Sequence, residues 1–175
     1  MSKELLLSLV FIIWCSFDIL SVAQTKYAGK VEVGFLKYRK QNVIYDASDN
    51  FPGYYLDNKE NGIEANFING IFLFKDRGFV GLGVGYVNFE GMSGLNTFSE
   101  FELLTNSKRI SPILGLKLGY NHLWNQYEGG TGTGLVDLGI GVNCRIDTKS
   151  SIYLKSGINL VQQATLYPIR LGVRF

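Results

Sequence analysis

Apolar and polar side chains alternate with a period of two through most of the chain, and the alternation divides into eight segments. They are Ala28–Lys37, Gly62–Phe74, Phe79–Phe89, Thr97–Leu104, Ile110–Asn121, Gly134–Ile146, Ser151–Val161 and Tyr167–Phe175. In the fifth, Leu114, Leu116, Leu118 and Tyr120 oppose Gly115, Lys117, Gly119 and Asn121. In the sixth, Val136, Leu138, Ile140 and Val142 oppose Asp137, Gly139, Gly141 and Asn143. Strict alternation of this length predicts half-buried β-strands, and no helical period competes with it. Asn69 interrupts the apolar face of the second segment and marks a candidate bulge. Pro112 and Pro168 stand near strand starts, where a missing N–H does least harm.

Polar, glycine-containing stretches separate the segments. Those at 75–78, 106–109 and 147–150 are short, whereas those at 38–61, 88–96 and 123–133 are longer; the last connection, Gln162 to Thr165, is short again. Eight antiparallel strands joined in this way predict an all-β, up-and-down barrel. Alternation alone leaves two ways to turn its faces. A lipocalin-like soluble barrel carrying an apolar ligand would point Leu and Ile inward. A transmembrane barrel would point them at lipid.

Three features favour the transmembrane arrangement. The polar face is crowded with glycine, as side chains converging in a narrow lumen require. Short and long connections alternate, the habit of barrels with short periplasmic turns and longer outer loops. Phe35, Tyr86, Tyr120 and Tyr167 fall at the long-loop end of the apolar face, where an interfacial girdle belongs.

The two ends of the chain supply an address. Lys3 precedes an apolar run from Leu5 to Trp14, and Ser21-Val22-Ala23 follows as a small-x-small cleavage pattern. This reads as an export signal over residues 1–23, leaving a barrel domain over 24–175. A membrane-anchoring helix is the weaker reading, because Asp18 interrupts the run. Lipidation at Cys15 is disfavoured by bulky Trp14 before it. At the other end, Tyr167, Ile169, Leu171, Val173 and Phe175 share one face of the final strand, and the chain closes on an aromatic residue.

That pattern and its terminal strand resemble the small bacterial outer-membrane β-barrel family, of the eight-stranded OmpA/OmpX-like kind and its Bacteroidetes-type barrel domains. The resemblance implies residence in the outer membrane of a Gram-negative bacterium, as a monomer among outer-membrane lipid and lipopolysaccharide. It also implies that Tyr167, Ile169, Leu171, Val173 and Phe175 form the signal read by the barrel-assembly machinery. Family members serve as anchors, adhesins, enzymes and narrow, porin-like pores.

Charge and composition narrow the chemistry. The chain has 17 basic and 15 acidic residues. Losing Lys3, Glu4 and Asp18 with the signal leaves a mild excess of three positive charges, too small to argue for nucleic acid. Cys144 is then the single cysteine, so neither a disulfide framework nor a thiolate metal site is available.

His122 is the single histidine, and neither same-face neighbour, Tyr120 or Trp124, is a serine. An interfacial histidine beside Trp124 is therefore the favoured reading, and a lipid A-modifying Ser/His/acid enzyme is kept as an alternative. The glycine run 129–134 lacks the Lys of a phosphate loop. No catalytic residue, metal site or cofactor is assigned. Lys30, Glu32, Glu64, Glu100, Glu102, Lys117, Asp137, Arg145, Lys155, Arg170 and Arg174 share the polar face. They are expected to pair inside the lumen as a salt-bridged plug, because unpaired buried charge is costly; a charge-lined pore is the alternative. Tyr45, Phe51, Tyr54 and Tyr55 in the first long loop are a candidate binding surface.

Overall fold

The computed structural model describes residues 26–42, 60–74, 76–89, 91–124, 131–148, 150–162 and 164–175. The signal segment 1–23 and the loop residues Tyr45, Phe51, Tyr54 and Tyr55 lie outside the described residues. Eight strands follow one another: β1 (Lys26–Gln41), β2 (Gly62–Leu73), β3 (Gly78–Phe89), β4 (Met92–Leu104), β5 (Ile110–Leu123), β6 (Thr131–Arg145), β7 (Ser151–Val161) and β8 (Ala164–Arg174). Each pairs antiparallel with its sequence neighbours, and β8 pairs with β1 to close the barrel.

Closure comes with a strong stagger. Partners followed once around the wall run Ala28, Gly70, Gly81, Glu100, Lys117, Asp137, Asn159 and Leu166, then rejoin β1 at Tyr38. The path climbs from position 28 to position 38, so the strands lie well tilted to the barrel axis. It also sets Glu100, Lys117 and Asp137 side by side in one hydrogen-bonded row.

Alternation fixes the faces. Val31, Val33, Phe67, Leu82, Val84, Leu118, Leu138, Ile140, Leu154, Ile169 and Leu171 are exposed on the outside. Lys30, Glu32, Glu64, Glu100, Lys117 and Arg170 are buried inside. At the loop end of the lumen a separate apolar cluster gathers Leu36, Val87, Phe89, Met92, Leu123, Leu135, Val161, Ala164 and Leu166.

Glycines on the inner face act as seats for large neighbours. A Cβ on Gly172 would stand 2.3 Å from the Tyr153 ring, and one on Gly85 would stand 1.9 Å from the Asn66 amide oxygen.

Four sequence expectations are corrected. Residues 88–96 are no loop: β3 runs to Phe89 and β4 starts at Met92, paired directly with it. The small, polar stretch Met92–Asn96 hides the alternation that places Met92, Gly94 and Asn96 inward, and Gly91 turns the chain at φ 73°. Connection lengths therefore do not alternate strictly, since 90–91 and 162–163 join loop-end strands as tightly as any turn.

The bulge also moves. Asn69 stays in continuous register with both neighbours and accepts a hydrogen bond from the Tyr27 hydroxyl at 2.5 Å on the outer surface. The irregularity lies instead in β1, between Tyr38 and Lys40 opposite β8. Pro168 proves interior to β8, not near its start, because β8 begins at Ala164. Its pairing with Leu36 of β1 continues, while the β7–β8 register skips Gly157 and Ile158 opposite Tyr167 and Pro168. A residue without an N–H has nothing to donate there.

The Gly172 seat yields a test. Gly172→Val forces the Tyr153 ring out of its place and should cost about 1–3 kcal/mol. Urea unfolding of the refolded protein, followed by Trp124 fluorescence, should show a lowered midpoint; an unchanged midpoint contradicts the close packing.

Candidate functional site

The inner face of the barrel is where ionisable chemistry concentrates. Among the described residues, ten charged side chains are buried: Lys30, Lys117, Lys155, Arg170 and Arg174 against Glu32, Glu64, Glu100, Glu102 and Asp137. Five cations face five carboxylates, so the interior is neutral. Strand alternation brings each side chain inward, and strand stagger decides which of them meet.

They meet across the lumen. Lys117 of β5 donates to Glu32 of β1 at 2.5 Å. Lys30 of β1 reaches Glu100 and Glu102 of β4 at 2.6 and 2.8 Å. Lys155 of β7 lies 2.5 Å from Glu32 and 2.8 Å from both Glu100 and Glu102. Arg174 of β8 donates to Glu102 on the facing strand β4. β1 and β5, like β4 and β8, stand on opposite sides of an eight-strand ring, so the network spans its centre.

A second group sits beside it. Arg170 grips Asp137 with two guanidinium nitrogens, at 2.8 and 2.6 Å, and donates through Nε to Glu64 at 2.5 Å. This fork geometry gives a planar cation two anchored partners. Asn66 links the groups, its amide nitrogen lying 3.3 Å from Glu64 and 3.5 Å from Glu32.

Neutral groups complete the site. The Tyr153 hydroxyl donates to Glu32 at 3.0 Å. Lys30 lies 4.8 Å from the centre of the Phe79 ring, Lys117 4.7 Å from that of Phe98, and the Arg174 guanidinium 5.0 Å from that of Phe72. Such cation–π contacts gain strength where water is excluded. Phe72, Phe79 and Phe98 were missed as lumen residues in the sequence reading. Their parity with Gly70, Gly81 and Glu100 along the same strands was the available signal.

Arg145 departs from the group expected to pair inside. It is half-buried at the terminal end and lines a rim cleft with Lys26, Asp76, Asp147 and Ser150. Strand β6 ends at Arg145, so its side chain stands at the mouth, above the ring of paired charges.

Carboxylate oxygens of Glu32, Glu100 and Glu102 lie within 4.8 Å of one another, a spacing a metal ion could use. The ammonium groups of Lys30, Lys117 and Lys155 already stand among them and supply the positive charge. His122 is remote from this network. It packs edge-on against Trp124 at 5.9 Å between ring centres, and its strand partners are Leu95 and Gly132. Tyr167, Ile169, Leu171, Val173 and Phe175 are exposed in a line on the outside of the last strand.

No known family profile matches the sequence, and no curated protein matches it. Solved structures do. Neisserial surface protein A aligns with a TM-score of 0.62, covering 86% of this chain and 97% of its own, at 10% identity. The N-terminal β-barrel domain of OprF from Pseudomonas aeruginosa aligns with a TM-score of 0.54, covering 87% and 100%, at 11% identity. The fold is that of a small outer-membrane β-barrel. At these identities the likeness is one of architecture.

The balanced interior makes a quantitative prediction. Removing one partner from a buried ion pair costs roughly 3–5 kcal/mol, because the other charge is left uncompensated. Glu32→Gln and Lys117→Met should each destabilise the barrel by that order. The double variant restores neutrality and should fall short of the sum of the two. A double-mutant cycle from urea unfolding measures the difference, and strict additivity would contradict direct pairing.

Proposed function

We propose that this chain is an integral outer-membrane β-barrel of a Gram-negative bacterium, non-enzymatic, with a closed lumen and a structural or surface-binding role. The observation that carries this reading is the inversion of its faces. Every strand turns apolar side chains outward, Leu82 being 72% exposed and Ile140 65%, while Lys30 and Glu32 are fully buried. Soluble monomers rarely expose contiguous apolar patches beyond a few hundred Å². A closed ladder with every wall strand paired is the one β arrangement that hydrocarbon tolerates. A soluble barrel carrying an apolar ligand would need the opposite arrangement, with apolar side chains lining the lumen.

The closed lumen follows from its filling. Cross-barrel ion pairs occupy one part of it, and the apolar cluster around Leu36, Phe89 and Leu123 occupies the loop end. A conducting path would have to break both. The non-enzymatic reading rests on His122 lying on the outer face beside Trp124. It also accords with Neisserial surface protein A, which is named for its location and not for a reaction.

As in the Bacteroidetes-type barrel domains that the sequence resembles, the protein is monomeric in lipid and lipopolysaccharide, and residues 1–23 direct its export. The exposed line ending at Phe175 is the segment the assembly machinery reads. The first long loop, with Tyr45, Phe51, Tyr54 and Tyr55, is the working surface.

A direct test is electrophoresis. Refolded in detergent, the protein should run as a compact band in SDS without heating and shift to its full mass after boiling. In planar bilayers it should give no sustained porin-like current steps. Identical mobility before and after boiling would overturn the membrane reading, and steady channel steps would overturn the closed lumen.

The terminal segment is tested separately. Phe175→Ser should lower outer-membrane levels several-fold in cells while detergent refolding of the purified variant stays near that of the parent. Unchanged surface levels would remove Phe175 from the assembly signal.

A further inference from the structure

Along the outward face of the eight strands, charged side chains are confined to one place. Among the described residues these are Lys37, Arg39 and Lys40 at the loop end of β1, all three exposed. Outward positions at the other end of the barrel, such as Leu103, Ile110, Ile146, Ile152 and Val173, are apolar. Among the described residues the outward face of the strands is therefore asymmetric from end to end, and every charge on it is positive.

The bulge is what gathers the three cations. Directly paired residues point to the same side of a sheet. Lys37 pairs with Tyr167, which is exposed on the outside, and Tyr38 pairs with Leu166, which is buried inside. In unbroken register Lys40 would again point inward. The extra residue pairs Lys40 with Thr165, which shares the parity of Tyr167 along β8; Thr165 is buried, whereas Lys40 itself is exposed. Strand β2 begins at Gly62, opposite Leu36, so this stretch of β1 extends past its neighbour with β8 at its side.

We propose that Lys37, Arg39 and Lys40 form a binding site for the phosphate groups of a phosphorylated lipid in the outer leaflet, an inference that rests on the membrane reading above. The level is right. The cluster begins two residues beyond Phe35, in the exposed aromatic row with Tyr86 and Tyr120. At about 3.4 Å per residue along strands tilted by roughly 40°, it spans about 5–13 Å above that row. Headgroup layers add about 5–8 Å on each side of the hydrocarbon core, so the lower part of the cluster lies among headgroups.

The chemistry fits as well. Arginine offers a planar fork to phosphate oxygens, and lysines add compact point charges. Asn61, just before β2, is held as the acceptor of the Tyr38 N–H at 3.1 Å. Among the described residues, Glu60 next to it is an exposed carboxylate against three cations.

The test uses the folded barrel in detergent, titrated with bisphosphorylated lipid A and read by native mass spectrometry. Each cation near a charged membrane surface contributes about fivefold in affinity. The variant Lys37→Gln/Arg39→Gln/Lys40→Gln should therefore bind on the order of a hundredfold more weakly. Fully dephosphorylated lipid A should bind the parent about as weakly as bisphosphorylated lipid binds the variant. Arg77→Gln/Lys108→Gln/Arg109→Gln, which removes three cations from the opposite end, should bind like the parent.

Any of three binding results would overturn the lipid-phosphate contact itself: unchanged affinity in the β1 variant, equal affinity for dephosphorylated lipid, or an equal loss in the opposite-end control. Displacement of the lipid by an equal concentration of inorganic phosphate would assign the site to free phosphate and overturn its lipid occupant. Each protein is first checked for the heat-dependent shift in SDS. Absence of that shift in the parent refutes the membrane reading and this proposal with it, whereas a shifted parent with unaltered lipid binding in the β1 variant refutes this proposal alone.

Discussion

Moving an ion out of water into a protein interior costs several kilocalories per mole, and the described residues of this barrel include ten buried charges. The interior tolerates this only because carboxylates and cations are equal in number and placed where they can touch. Much else in the structure serves that requirement. Gly172 leaves room for Tyr153, whose hydroxyl helps to saturate Glu32. Gly85 leaves room for Asn66, whose amide joins the two ionic groups. Phe72, Phe79 and Phe98 line the lysine and arginine stems with ring faces, so that dry surface near the charges still offers partial negative charge.

The same requirement explains why the two faces of the wall are so unlike. Outside, few side-chain bonds such as that of Tyr27 to Asn69 tie the residues together, and their apolar nature is set by the surrounding medium. Inside, they are held by each other. The strand ladder separates these two environments by a single layer of backbone. That is why a period of two in the sequence carries so much of the architecture.

How much was legible follows from this. The long apolar alternations in Leu114–Tyr120 and Val136–Val142 were unambiguous, and the strands that contain them stand near where the sequence put them. Met92–Asn96 was illegible because small polar residues sit on both its faces, and the strand there depends on pairing with β3. Pro168 misled because proline has a local preference for strand starts, which closure against β1 overrides. The inward charges could be listed from parity alone. Their partners could not, because pairing Lys30 with Glu102 or Arg174 with Glu102 depends on the stagger accumulated around the whole ring. Arg145 shows the limit from the other side: its parity is that of the lumen, but its height is that of the rim.

The bond between β1 and β8 closes the ring, and it raises a problem that hydrophobicity cannot solve. A slip of two residues at that seam would leave every side chain on its proper face, apolar outward and polar inward. Nothing in the burial pattern would register the mistake. The ions would, since Arg170 and Arg174 on β8 would lose their level with Glu64 on β2 and Glu102 on β4. The charged lumen thus acts as a proofreading device for closure. It distinguishes the native join from near misses that the apolar belt would accept.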